Sequence, residues 1–148
     1  MAGTQMIGLK DFEGRWRLDR QIKDALGADA TFSGTALFRR DDDGLVLHEA
    51  GRLELKGQGA FEAERRYLWR QDGGAIAVLF EDGRMFHSFD PVGGVVDADH
   101  WCDPDTYKVR YDFTRWPVWQ AAWRVTGPRK DYVMQSVYTP DAGISPKE

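Results

Sequence analysis

Apolar and polar residues alternate with a period of two along most of the chain, which is the pattern of β-strands that bury one face. About ten such segments are separated by turn signals such as Asp-Gly and Gly-Gly. They include Gly14–Ile22, Phe32–Arg40, Leu45–Leu55 and Tyr107–Thr114. Between strands, Lys23–Ala30 is expected to form a short helix or a loop, and Gly8–Glu13 a single turn. The pattern therefore predicts an all-β protein.

A meander of many short antiparallel strands exposes its edges unless it closes on itself, and a barrel removes them. Barrels of about eight to ten strands enclose room for one small ligand. We predict a single antiparallel up-and-down barrel of about eight to ten strands over residues 1–140. A flexible C-terminal tail is expected over 141–148, where Gly, Pro and charged residues end the chain. Gly34 and Ala36, small residues on an inward face, are expected to leave room inside.

The composition supports the all-β class and limits the kinds of binding partner that are expected. The 148 residues suffice for one hydrophobic core, and eight Phe, five Tyr, six Trp and 16 Gly favour strands and turns. The net charge is −4 with both signs spread along the chain, so no nucleic-acid-binding footprint is expected. Neither a membrane span nor a signal peptide is evident, which predicts a cytoplasmic protein. The oligomeric state is left open, with a homodimer as one option.

Several polar side chains fall on the predicted inward faces of the strands. Burying an unpaired charge costs free energy, so each inward arginine needs a carboxylate, a ligand anion or water. One hypothesis is that this set orients a small amphipathic ligand by its carboxylate or phosphate. The alternative is an internal pair of Arg65 with Glu49, or a bulge that turns Arg65 outward. The candidate ligand-binding residues are Arg20, Glu49, Arg65, Tyr67, His87, His100, Cys102, Tyr107, Tyr111 and Tyr132.

The glycine-rich turn Gly57-Gln58-Gly59 sets the expected register of the hairpin that carries two of these residues. It would place Gly51 opposite Arg65 and Glu49 opposite Tyr67. Arg65 and Glu49 are then diagonal neighbours on one face of the sheet.

The next hairpin is expected to turn at Asp82-Gly83, a dipeptide suited to a type I′ turn. Phe80 would then pair with Met85, and Val78 with His87. Both Met85 and His87 are therefore expected on the apolar face.

The sequence His100-Trp101-Cys102 brings two reactive side chains to one face of an extended segment, and His87 could lie nearby. An incomplete zinc site and a histidine-activated thiol are both conceivable. A buried structural thiol is the preferred interpretation of Cys102, which is the only cysteine. Neither a metal nor a cofactor is predicted.

The opening strand carries a short recognisable motif. Phe12–Leu18 resembles the Gly-x-Trp opening strand of calycins, the superfamily of lipocalins and fatty-acid-binding proteins. This resemblance implies structural roles for Gly14 and Trp16. It also implies a late arginine packed over the Trp16 ring, for which Arg124 and Arg129 are the candidates.

The chain as a whole resembles an uncharacterised family of calycin-like barrel proteins, a resemblance that implies a fold more than a function. The segments that carry it further are Tyr67-Leu68-Trp69-Arg70, Phe86-His87-x-Phe89 and His100-x-Cys102. Cytosolic haem-binding relatives use a histidine near the C-terminal end, and no histidine follows His100 here.

Three functions fit these expectations. The first is a cytoplasmic carrier or sensor, without enzymatic activity, of a small amphipathic molecule held by Arg65, Arg20 and the inward tyrosines. The second is an isomerase, cyclase or hydrolase in which a histidine acts as acid or base and a tyrosine as donor. Its candidate pairs combine His87 or His100 with Tyr107 or Tyr111. A protein-interaction module is the third, and it would need an exposed aromatic patch.

Overall fold

The computed structural model describes residues 7–141, which form ten antiparallel strands of one sheet and a short 3-10 helix, Leu9–Phe12. The strands are β1 (Gly14–Asp24), β2 (Ala30–Arg40), β3 (Gly44–Leu55), β4 (Gly59–Asp72), β5 (Ala75–Phe80), β6 (Met85–Phe89), β7 (Val95–Cys102), β8 (Asp105–Asp112), β9 (Trp119–Gly127) and β10 (Lys130–Pro140). The predicted all-β antiparallel barrel of about eight to ten strands is confirmed. The single turn near Gly8–Glu13 is the 3-10 helix, and the segment between β1 and β2 is a loop rather than a helix.

Each strand pairs with its neighbours in sequence except at β6 and β7, and β1 also pairs with β10, which brings the first and last strands together. The resulting order, β6-β5-β4-β3-β2-β1-β10-β9-β8-β7, leaves β6 and β7 as the two edges. These edges pack against each other without a hydrogen-bonded ladder, so the barrel is nearly closed. No helix within residues 7–141 has the length and apolar character needed to cross a membrane.

The predicted tail lies outside the described residues except for Asp141. The backbone N–H of Asp141 donates a hydrogen bond to the Arg15 carbonyl at 3.2 Å.

One end of the barrel is filled by rings, which we call the aromatic cluster. Its members are Phe12, Trp16, Phe38, Trp69, Phe113, Trp116 and Trp119. The 3-10 helix places Phe12 among these rings, and Trp16 Nε1 donates to the Phe12 carbonyl at 2.9 Å. Gly14 joins helix to strand at φ +127°, a conformation that favours glycine.

The predicted arginine cover over Trp16 is wrong. Arg124 lies opposite Val133 on β10, and Val133 lies opposite Lys23 on β1. Lys23 is seven residues along β1 from Trp16, or roughly 23 Å at the rise of a strand. Arg129 lies in the turn between β9 and β10, at the same distant end. Tryptophan rings take the place of the arginine.

The register of the β3–β4 hairpin also differs from the prediction. Glu49 lies directly opposite Arg65, and Leu47 lies opposite Tyr67. The turn occupies residues 56–58, one position earlier than expected, because Leu55 pairs with Gly59. Arg65 and Glu49 are therefore direct rather than diagonal neighbours.

The β5–β6 hairpin contains a register shift that the alternation pattern missed. Val78 lies opposite His87 as predicted, but the shift makes Phe86 an extra residue on β6. Phe86 and His87 are consequently both buried, whereas Met85 is 50% exposed. Asp82 does not have the positive φ that a type I′ turn requires, and the loop spans residues 81–83 instead.

Gly34 allows close packing of β2 against β3. It lies opposite Gly51, and a Cβ on Gly34 would overlap the Ala50 carbonyl oxygen and lie 2.6 Å from the Gly51 Cα. Glycine at both positions lets β2 and β3 approach at this bend.

Gly34→Ala is expected to lower the free energy of unfolding by about 1–3 kcal/mol, because rigid backbone would have to move. Gly74→Ala is the matched control, since a Cβ there meets no atom within 4 Å. It should change stability by less than about 0.5 kcal/mol in the same urea titration. Equal urea midpoints for the two variants would show that the close approach of β2 and β3 at Gly34 does not limit stability.

Candidate ligand-binding cavity

The barrel interior beside the aromatic cluster contains a cavity with about 180 Å³ of space open to the centre of a water molecule. A single water needs roughly 10–15 Å³ by this measure, so the cavity has room for a small organic group. Aromatic rings form much of the wall, among them Phe80, Phe86 and Trp123. Eight of the ten predicted ligand-binding residues line it: Arg20, Glu49, Arg65, Tyr67, His87, Tyr107, Tyr111 and Tyr132.

A buried ion pair lies in the wall of this cavity. Arg20 Nη2 donates to Glu49 Oε1 at 3.1 Å, and Arg20 Nε donates to Ser136 Oγ at 2.7 Å. The Tyr138 hydroxyl donates to Glu49 Oε2 at 2.8 Å. Because β2 lies between β1 and β3, this pair must pass over β2, where Gly34 has no side chain to block it. The partner of Glu49 is thus Arg20, and the alternative of an Arg65–Glu49 pair is not formed.

The environment keeps the Arg20 guanidinium charged at neutral pH. Burial lowers the pKa of Arg20, but the Glu49 carboxylate more than offsets this and holds the pKa above its ordinary value. Burial and the Glu49 charge together raise the pKa of Tyr138, so its hydroxyl stays protonated. The three groups satisfy one another inside the wall.

Arg65 is the second arginine of the cavity, and its environment differs from that of Arg20. Its side chain is partly exposed, and Nη1 donates to the Tyr67 hydroxyl at 3.1 Å. Within the described part of the chain, no carboxylate oxygen lies within 4 Å of its guanidinium. We call this exposed side of the cavity the mouth. A positive charge that forms no salt bridge therefore stands at the mouth, and the Glu49 charge that acts on it is already paired with Arg20.

His87 and Tyr111 form a buried hydrogen bond in the opposite wall, with His87 Nε2 and the Tyr111 hydroxyl 2.8 Å apart. Burial lowers the pKa of His87 to about 3, and the nearby His100 contributes to the same shift. Burial also raises the pKa of Tyr111. Both side chains are consequently neutral at pH 7.

This shift makes stability depend on pH with a definite sign. The unfolded chain takes up a proton near the ordinary histidine pKa of 6.5, while the folded chain resists it down to about 3. Stability supplied by neutral His87 is therefore complete above pH 6.5 and is lost as the pH falls. Between pH 7 and pH 5 the loss should be about 2 kcal/mol.

Urea titrations of the wild type and of His87→Gln at pH 7 and pH 5 measure this loss of stability. The glutamine variant has no imidazole at this position and should not show the loss. NMR of the imidazole ring is the independent check. A His87 ring that titrates near pH 6.5 in the folded protein would contradict the assignment.

Tyr107 and Tyr132 line the cavity near its mouth, and Tyr107 is bound by a lysine that lies outside the lining. Lys130 Nζ donates to the Tyr107 hydroxyl at 2.9 Å and pairs with Asp105 at the same distance. Hydrogen bonds to Tyr107 and Asp105 raise the pKa of Lys130. Gly127 makes room for Asp105, because a Cβ there would collide with its carboxylate. Tyr132 also lines the cavity, and partial burial raises its pKa.

The remaining two predicted residues lie outside the cavity lining. The His100 ring packs against Phe86, with centroids 5.4 Å apart, and Cys102 is exposed at the end of β7. The expectation of a buried thiol is therefore wrong. Residues 7–141 contain no group of three His, Cys, Asp or Glu side chains placed to hold a metal ion.

Several cavity residues were missed because their roles depend on contacts between distant strands. The contacts of Ser136 and Tyr138 with Arg20 follow from the β1–β10 pairing. Phe86 enters the wall through the register shift. No local signal in the sequence marks either feature.

Residues 12–140 match the family model described as "Family of unknown function (DUF6314)". The chain belongs to this family. The DUF6314 match spans all ten strands and hence every residue of the cavity wall named above. The predicted membership in an uncharacterised barrel family is thereby confirmed, while membership in the lipocalin and fatty-acid-binding-protein superfamily stays a prediction.

Two further comparisons place this DUF6314 protein among known ones. No curated protein matches its sequence. It is similar in fold to a solved structure, the S-type phycobiliprotein lyase CPES from Guillardia theta, with a TM-score of 0.51 and 9% sequence identity. The similarity covers 88% of this chain and 87% of that chain, and at this identity it shows a shared fold alone.

Proposed function

We propose that this protein binds a small amphipathic anion inside its barrel and acts in the cytoplasm as a carrier or sensor without enzymatic activity. The observation that carries the proposal is the position of Arg65. This cation lies at the mouth of a ring-lined cavity and has no salt-bridge partner there. A ligand anion would supply the missing charge.

The balance of charge in the wall supports an anionic ligand. Glu49 neutralises Arg20 inside the protein, which leaves the Arg65 charge in excess. A guanidinium offers paired donors that match the two oxygens of a carboxylate or phosphate. The aromatic wall beyond Arg65 suits the apolar body of the same molecule.

Titration of tryptophan fluorescence with 4-phenylbutanoate tests this assignment, because Trp69, Trp119 and Trp123 line the cavity. Arg65→Gln should weaken binding at least about tenfold, the effect of losing a charge-assisted hydrogen bond. Arg66→Gln is the matched control: it removes the same charge from the next residue of β4, which lies outside the lining. Its affinity should equal that of the wild type.

Equal affinity of the Arg65 and Arg66 variants would reject Arg65 as the anchor. Native mass spectrometry of freshly purified protein searches for the natural ligand. A barrel that carries no bound species and does not respond to any ring-bearing carboxylate would reject the binding function itself.

An enzyme of isomerase, cyclase or hydrolase type is the second candidate, and the His87–Tyr111 hydrogen bond is the observation in its favour. Acid–base catalysis is most effective when the catalytic pKa lies near the working pH. Burial moves the pKa of His87 down to about 3 and that of Tyr111 up, away from neutrality in both cases. These shifts favour binding over proton transfer. Turnover that is lost in His87→Gln while affinity is retained would reverse this preference.

A further inference from the structure

Three nitrogen atoms in the cavity wall are buried without a hydrogen-bond partner: Trp69 Nε1, Trp119 Nε1 and His87 Nδ1. Their residues are only 2%, 1% and 4% exposed, respectively. Within residues 7–141, four buried side-chain polar atoms lack a hydrogen-bond partner, and the fourth, His48 Nε2, lies outside the cavity lining. Unpaired polar atoms are thus concentrated around the cavity.

The three rings lie close together on the inner side of the cavity. The centroids of Trp69 and Trp119 are 6.2 Å apart. Tyr111 connects them to the histidine, since its ring lies 6.3 Å from Trp119 and 5.9 Å from His87. The three rings therefore belong to one region of the wall.

The hydrogen-bonding capacity of each group identifies the kind of atom that this region lacks. Each indole Nε1 is a donor only. The buried Tyr111 hydroxyl has His87 Nε2 as its only hydrogen-bond partner among the described residues, and we assign its hydrogen to that nitrogen because the reverse direction would leave the hydroxyl hydrogen unpaired as well. A neutral imidazole that accepts at Nε2 carries its hydrogen on Nδ1. All three unpaired atoms are therefore donors, and what they lack is an acceptor.

We infer that the ligand carries, besides its anionic group, a neutral hydrogen-bond acceptor such as a carbonyl oxygen, held against these inner N–H groups. This inference rests on the proposed binding function and narrows the ligand class to a ring-bearing oxo acid. Arg65 at the mouth holds the acid, and Trp69, Trp119 and His87 hold the oxo group. Buried donors discriminate strongly against analogues that cannot pair with them.

A pair of matched probes tests the inference on the full chain. 4-Oxo-4-phenylbutanoate and 4-phenylbutanoate differ only in the carbonyl group. The oxo acid should bind at least about tenfold more tightly. It alone should shift the indole N–H signals of Trp69 and Trp119 in NMR spectra, assigned with the Trp69→Phe and Trp119→Phe variants or, if these fold poorly, by sequential assignment of the wild type.

The outcomes separate this inference from the proposed function. Equal binding of the two acids with unmoved indole signals would overturn the acceptor site and leave the binding function standing. Indole protons that are paired with ordered water while the oxo acid is bound would overturn the acceptor site as well. Absence of binding by either acid would reject both proposals. Nitrogen-15 shifts of the His87 ring check the tautomer, and a protonated Nε2 would contradict the assignment.

Discussion

Trp16→Ala is expected to lower the free energy of unfolding by about 3–5 kcal/mol, the cost of deleting a large buried ring. Trp16 is 0% exposed, and its ring lies 5.7 Å from Trp116 and 6.0 Å from Trp119 between centroids. The 3-10 helix sits against this end of the barrel, so the surrounding rings have little freedom to close the void. The substitution also leaves the Phe12 carbonyl without the indole donor.

Trp101→Ala is the matched control for this experiment, because Trp101 is 68% exposed on β7. It should change stability by less than about 0.5 kcal/mol. Urea unfolding monitored by far-ultraviolet circular dichroism gives the unfolding midpoint of each variant. The midpoints are compared at an unchanged slope of the free energy of unfolding against urea concentration. If Trp16→Ala unfolded at the wild-type midpoint, the aromatic cluster would not be the stabilising core of this end.

The direction of the side chains was predictable from the sequence, because a strand alternates its two faces residue by residue. Tyr107 and Tyr111 line the cavity as the pattern predicts, and Glu49 is 3% exposed on a face otherwise formed by leucines and Gly51. Fold class and most of the cavity wall follow from this single regularity.

Register was not predictable in the same way. A shift of two residues in an antiparallel pair preserves both faces, so the alternation is identical whether Glu49 opposes Arg65 or Tyr67. Only the geometry of the turn distinguishes the two pairings. The register shift that buries Phe86 likewise depends on local backbone geometry with no signal in the pattern.

Contacts that skip a strand were the least accessible to sequence reasoning. The Arg20–Glu49 pair joins β1 to β3, and it depends on Gly34 in the strand between them. The sequence therefore suggested a ligand role for Arg20, whereas the structure shows its Nε and Nη2 atoms engaged within the protein.

Arg20→Met is expected to destabilise the protein by about 3–5 kcal/mol, because it leaves the Glu49 charge buried without its cationic partner. Arg20 is 6% exposed and Glu49 is 3% exposed, so water solvates the two charges little. Tyr138 would remain as a neutral donor to Glu49. One neutral hydrogen bond compensates only part of a buried charge.

The double variant Arg20→Met/Glu49→Leu separates loss of charge pairing from loss of packing. Replacing both ions with apolar groups removes the desolvation cost together with the attraction, so stability should return to within about 1–2 kcal/mol of the wild type. Urea titrations of the wild type, both single variants and the double variant measure the coupling between the two residues. If the losses from the two single variants simply added, the ion pair would carry no coupling energy. Recovery in the double variant instead assigns the stability of this wall to mutual neutralisation, which leaves Arg65 as the cation available to a ligand.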